Sequence, residues 1–86
     1  MPEICRFYGI VIKMYFADHL PPHFHAEYGG QEARIAIGSL AVIAGRLPPR
    51  AMGLVAEWAM LHQRELGELW ETARRLQPLH RLDPLP

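Results

Sequence analysis

His-Phe-His-Ala-Glu-Tyr-Gly-Gly-Gln-Glu-Ala-Arg-Ile-Ala-Ile, residues 23–37, is the stretch whose reading decides the fold. His23 to Tyr28 alternates. Gly29-Gly30 is a two-residue hairpin signal, because a tight primed turn needs positive φ at both central positions. Gln31 to Ile37 alternates again, with Ala33, Ile35 and Ile37 on one face. Working upstream, Ile10 to Phe16 is β-branched, aromatic or long and suits a largely buried strand, and Gly9 separates it from an extended piece, Ile4 to Tyr8. Between them and the hairpin lies Asp18-His-Leu-Pro-Pro22, a loop, since two prolines remove two backbone donors and bias their neighbours away from helical angles. Downstream, Gly38-Ser39 turns the chain and Leu40 to Ala44 forms a last short strand before Gly45. Residues 4–45 therefore read as a meander of four or five antiparallel strands.

From Leu47-Pro48-Pro49 onward the period changes to that of a helix, with proline accommodated in the first turn. At 100° per residue, Leu54, Val55, Trp58, Leu61, Leu66, Leu69, Trp70, Ala73 and Leu76 share one half of the wheel, whereas Glu57, Arg64, Glu68, Glu71 and Arg75 share the other. One face packs and the other is wet. A continuous helix over 48–76 would be roughly 40 Å long, more than so small a sheet can cover, so the expectation is a break near Gly67 or an overhang. Trp58 and Trp70 are expected in the core, and His62, on the buried side, is expected to take a backbone or carboxylate partner. Prolines 78, 84 and 86 stop further helix and leave residues 77–86 as an extended tail. The fold class is α+β: one domain, 1–86, with a meander sheet packed on one long amphipathic helix.

Composition narrows the function classes. Nine basic residues balance nine acidic ones, so no net positive field drives sequence-independent binding to a nucleic-acid backbone, and any RNA contact is local. Cys5 is the only cysteine, which excludes an intramolecular disulfide and a cysteine-based zinc site and fits a reducing compartment. No run approaches the roughly 18 apolar residues of a membrane span, and no basic-then-apolar leader follows Met1. The chain reads as cytoplasmic and not membrane-bound.

Asp18, His19, His23, His25 and Glu27 fall within ten residues of one another. In a strand, residues two apart share a face about 6.6–6.8 Å apart, so His23, His25 and Glu27 project together while Phe24 and Ala26 turn to the core. Two imidazoles and a carboxylate on one face suit acid–base work on RNA, in which one of His23 and His25 takes the proton of a ribose 2′-hydroxyl while the other donates a proton to the leaving oxygen. His19, Asp18 and Glu27 would orient them, and Lys13 or Arg34 would neutralise the phosphate. No cofactor enters that reading. The same face suits a divalent transition metal such as zinc, held by His23, His25 and Glu27. A plain structural reading stands beside both: histidines after a proline satisfy backbone groups, and Asp18 caps the turn. The His-x-His spacing is similar to the metal motif of cupins, but that double-sheet barrel needs more strands than 86 residues supply.

Gly9 to Ala26, with its Asp-His-x-Pro-Pro-His-Phe-His core, then Leu47-Pro-Pro-Arg-Ala51, Leu54-Val-Ala-Glu-Trp58, Leu61-His62 and Leu69-Trp70, resemble the signature of a bacterial family, domain of unknown function 4160. The likeness spans Pro2 to Leu85, with matching positions at Asp18, His19, Pro21, Pro22, His23, His25, Trp58, His62 and Trp70. The resemblance implies a small cytoplasmic protein encoded beside a second small protein, an arrangement of the toxin–antitoxin type. It carries no established activity. The sequence departs from the pattern at Leu20, usually polar, and over Ala36 to Val42, where apolar residues replace an acidic strand and turn and remove a metal ligand that strand could have given. The resulting expectation is a toxin-like half of a two-protein module, acting on RNA through His23 and His25. The alternatives are a non-catalytic docking domain, with a cognate protein or a second copy as partner, and a small metal-binding domain.

Overall fold

The computed structural model describes residues 2–86. Five strands, β1 (Glu3–Phe7), β2 (Ile10–Lys13), β3 (His23–Tyr28), β4 (Gln31–Ala36) and β5 (Val42–Gly45), form one antiparallel sheet in the order β1-β2-β3-β4-β5. The hairpin turns at Gly29 and Gly30, both at positive φ, so Tyr28 pairs with Gln31 and each earlier residue of β3 with its partner in β4. Strand ends differ from the sequence reading at several places. Tyr8 (φ 51°) and Leu40 (φ 60°) adopt left-handed backbone and belong to turns, so β1 stops at Phe7 and β5 starts at Val42. The residues beyond Lys13 leave the sheet as a loop, so β2 is shorter than the Ile10 to Phe16 run.

Register sorts the two faces. Phe7 pairs with Ile10, Cys5 with Ile12, Ile12 with Ala26, Ala26 with Ala33 and Phe24 with Ile35. All are buried, and they make the sheet's contribution to the core. The opposite face carries the rows Val11–Glu27–Glu32 and Lys13–His25–Arg34, with His23 opposite Ala36.

Two helices, not one, cover the core: α1 (Pro49–Leu61) and α2 (Gln63–Arg74). The break is at His62 (φ −119°, ψ 17°), not at Gly67, which lies inside α2. The corner is fixed from outside the helix: the Gln63 side-chain amide donates to the carbonyls of Ile37 (2.7 Å) and Gly38 (3.1 Å). His62 Nδ1–H donates to Glu65 at 2.6 Å across the new helix's first turn. Bending removes the expected overhang. It also leaves Leu61 exposed at the corner, and Leu76, past the end of α2 with φ 57°, is exposed too. Ala51, Val55, Trp58 and Ala59 of α1 and Leu66, Leu69, Trp70 and Ala73 of α2 are buried. The Trp58 ring lies 5.5 Å from Phe7 and 5.9 Å from Phe24, tying helix to sheet.

The extended tail closes one edge. Leu82 N–H donates to the Ile4 carbonyl (2.8 Å), Trp58 Nε1–H to the Asp83 carbonyl (2.8 Å) and Tyr8 Oη–H to the Pro86 carbonyl (2.6 Å). Arg81 and Arg6 both bind the Glu3 carboxylate, holding its pKa down at about 2 through those hydrogen bonds. Leu82 and Leu85 are thereby buried. β1 is covered, whereas β5 is an open edge, exposed along its length.

Candidate metal centre

The loop between β2 and β3 folds back over the polar face of the sheet, its Ala17 N–H reaching the Ala73 carbonyl of α2 (3.4 Å), and this brings Asp18 onto β3. One carboxylate oxygen, Asp18 Oδ2, lies 3.0 Å from His23 Nε2 and 3.1 Å from His25 Nε2. The other, Oδ1, accepts the His19 backbone N–H at 2.8 Å. The two imidazole rings are 5.1 Å apart, and each is sealed by an aromatic neighbour: Trp70 at 5.4 Å from His23, Tyr15 edge-on at 4.5 Å from His25. His23 is 3% exposed and His25 5%, so the histidines are buried polar groups and not an open surface patch.

The second nitrogens decide what the rings can do. His23 Nδ1 faces the Pro21 carbonyl at 2.7 Å; a carbonyl only accepts, so the proton is on Nδ1. In a neutral ring Nε2 is then an acceptor 3.0 Å from a carboxylate oxygen, and no hydrogen bond forms there. His25 is similar: Nε2–H donates to Asp18 Oδ2, leaving Nδ1 3.4 Å from Glu32 Oε2 without a hydrogen bond. Acceptors thus crowd both rings, and a positive charge at the centre, proton or metal ion, would resolve the crowding. Asp18 is poised to ligate as the anion. Burial pushes its pKa up, but the His25 hydrogen bond, the His19 N–H and the fields of His23 and His25 outweigh burial and hold it below the usual carboxylate value.

Three donor atoms, one each from Asp18, His23 and His25, lie within 4.8 Å of one another. Ligands at about 2.0–2.2 Å from a tetrahedral ion stand roughly 3.3–3.6 Å apart, so the two carboxylate–imidazole separations of 3.0 and 3.1 Å need open by only a few tenths of an ångström, and the two histidine donors lie within 4.8 Å of each other. The outer contacts also suit a metal: a ligating histidine ordinarily gives its other N–H to a carbonyl or carboxylate, and His23 Nδ1 meets the Pro21 carbonyl at 2.7 Å, while His25 Nδ1 faces the Glu32 carboxylate at 3.4 Å, short of a hydrogen bond.

The remaining residues singled out from the sequence fall into place around this centre. Glu27 shares the face of His23 and His25, but its carboxylate is taken by Lys13 at 3.0 Å; Asp18, not Glu27, is the acid that meets both imidazoles. Lys13 and Arg34 flank His25 on the neighbouring strands, Arg34 exposed. His19 is exposed and contributes its backbone N–H. His62 is outside the cluster, bonded to Glu65. Sequence reasoning missed Glu32, Tyr15 and the second role of Trp70. Glu32 was within reach of it, because a hairpin about Gly29-Gly30 puts residue 32 diagonally across from residue 25.

A five-stranded meander backed by two helices, with two imidazoles and a carboxylate gathered beneath a double-proline loop, defines a small α+β domain with a histidine–aspartate centre. The chain belongs to the family described as domain of unknown function (DUF4160), whose model matches residues 9–71. No curated protein and no solved structure matches it.

Proposed function

We propose that the domain binds a divalent transition-metal ion through Asp18, His23 and His25. The observation that carries this reading is the shared oxygen Asp18 Oδ2, within 3.1 Å of both buried imidazoles, with the rings' other nitrogens already facing oxygen acceptors. Two histidines and one carboxylate suit zinc, iron, nickel or manganese. The RNA-directed, toxin-like alternative asks the same two rings to shuttle protons to a bulky substrate, and their burial favours an ion over a polynucleotide. Metal analysis of protein purified without a polyhistidine tag tests the proposal: about one equivalent per chain is expected, lost in His25→Ala. Metal-free protein that also fails to take up zinc, together with growth arrest relieved by His23→Ala, would return the argument to the acid–base pair.

The open edge of the sheet supports a second reading, compatible with the first, in which the domain is one half of a two-protein module. β5 carries no charged residue, and its Val42 and Ile43 are 43% and 45% exposed, while the tail covers the opposite edge. Uncharged edges of this kind accept a partner's strand. The occupant we assign is a strand of a small cognate protein. Val42→Lys should abolish such a complex without altering metal content, and association with a second copy of this chain alone would replace that assignment. Among the described residues no helix is long and apolar enough to cross a membrane.

A further inference from the structure

The following rests on the ion reading above. A divalent transition ion takes at least four donors, and among the described residues no fourth His, Cys, Asp or Glu joins the cluster of Asp18, His23 and His25. Structural zinc sites close their shell with four protein ligands, whereas three-ligand sites leave a position for something from solution.

Trp70 gives an independent sign of what occupies that position. Its Nε1–H is buried without an acceptor, and its ring packs on His23. Such an orphan is costly, whereas the other indole, Trp58 Nε1–H, is bonded to the Asp83 carbonyl at 2.8 Å. Among the described residues the buried side-chain nitrogens and oxygens without a hydrogen bond are His23 Nε2, His25 Nδ1 and Trp70 Nε1. All three belong to residues joined by direct ring contact.

We propose that the centre keeps one coordination position for a small exogenous oxygen- or nitrogen-donor ligand, and that Trp70 Nε1–H hydrogen-bonds it, making Trp70 a positioning residue. Tyr15 and Trp70 wall the imidazoles with aromatic carbon, which selects a compact anion or a water over a bulky molecule.

The test uses wild-type protein with ¹⁵N-labelled tryptophan, loaded with zinc and titrated with azide. Its spectrum should show two indole N–H signals, with Trp58 as internal control. The Trp70 signal is expected to move and gain protection from exchange as azide is added, while the Trp58 signal stays. Trp70→Phe should weaken azide binding roughly tenfold, the worth of one hydrogen bond, with zinc affinity changed less than twofold. Zinc binding with no response to azide would overturn the open position and leave the metal centre standing. Azide binding that leaves the Trp70 signal still would overturn the role of Trp70. Failure of zinc itself to bind would overturn the ion reading first and this inference with it. The wild-type titration decides the matter even if the phenylalanine variant folds poorly.

Discussion

Replacing Asp18 with asparagine preserves the shape of the loop and removes the charge that the centre depends on. In metal-free protein the amide can still face both imidazoles, presenting a donor where the carboxylate presented only acceptors, so the expected loss is no more than about 1 kcal/mol. With zinc the difference is large. An ion at one hundred times its dissociation constant stabilises the native state by about 2.7 kcal/mol. For a domain of this size each kcal/mol moves the melting temperature by about 4–8 °C, so wild-type protein should gain about 10–20 °C. Losing the anionic ligand should weaken zinc by at least roughly a hundredfold, since even outer partners cost 10–100-fold. At the same zinc concentration about 0.4 kcal/mol is left, a shift of roughly 2–3 °C. Differential scanning fluorimetry on tag-free, chelator-dialysed protein reads this directly. Glu27→Gln is the control, because its carboxylate is engaged by Lys13, and it should keep the whole zinc shift. A wild-type melting curve indifferent to saturating zinc, or an Asp18→Asn curve that responds as fully as wild type, would refute the reasoning.

Three further outcomes follow from the fold. Gly67→Ala should stabilise by about 0.5–1 kcal/mol in urea unfolding, since an added Cβ inside α2 meets nothing within 4 Å and alanine restores helix propensity. Gly45→Ala should destabilise by more than 1 kcal/mol in the same assay, because the residue sits at φ 69° and its Cβ would collide with the Glu32 carbonyl. The Glu3 clasp should be pH-sensitive: its folded pKa, about 2, is below its ordinary value of 4.5, so its contribution is complete above about pH 4.5 and fades as pH falls toward 2. Trp58 emission, reporting the tail through its bond to Asp83, should show a transition in that window that Glu3→Gln lacks.

The sheet was legible because its signals are local. Period-two alternation and a pair of glycines fix the hairpin and its register, and β2 announces itself by composition. The strand ends were less visible because Tyr8 and Leu40 occupy left-handed backbone that sequence rules reserve for glycine. The helix corner was invisible for a specific reason. Buried positions 51, 55, 58, 59, 66, 69, 70 and 73 keep one helical phase through His62, so no wheel registers the bend, and its cause is a long-range bond from Gln63 to the turn after β4. At the site, the two-residue spacing placed His23 and His25 together. Choosing the acid needed the path of the loop, which is set by a contact between Ala17 and α2.

The tail laid along β1 limits how this sheet can take part in larger structures. With that flank occupied, backbone pairing can propagate from β5 alone. A second molecule joining edge to edge would bring its own blocked flank outward, and growth would end at two. If β5 pairs with another strand, residues 77–86 would then act as a terminator, stopping such pairing at two molecules before it could seed a fibre.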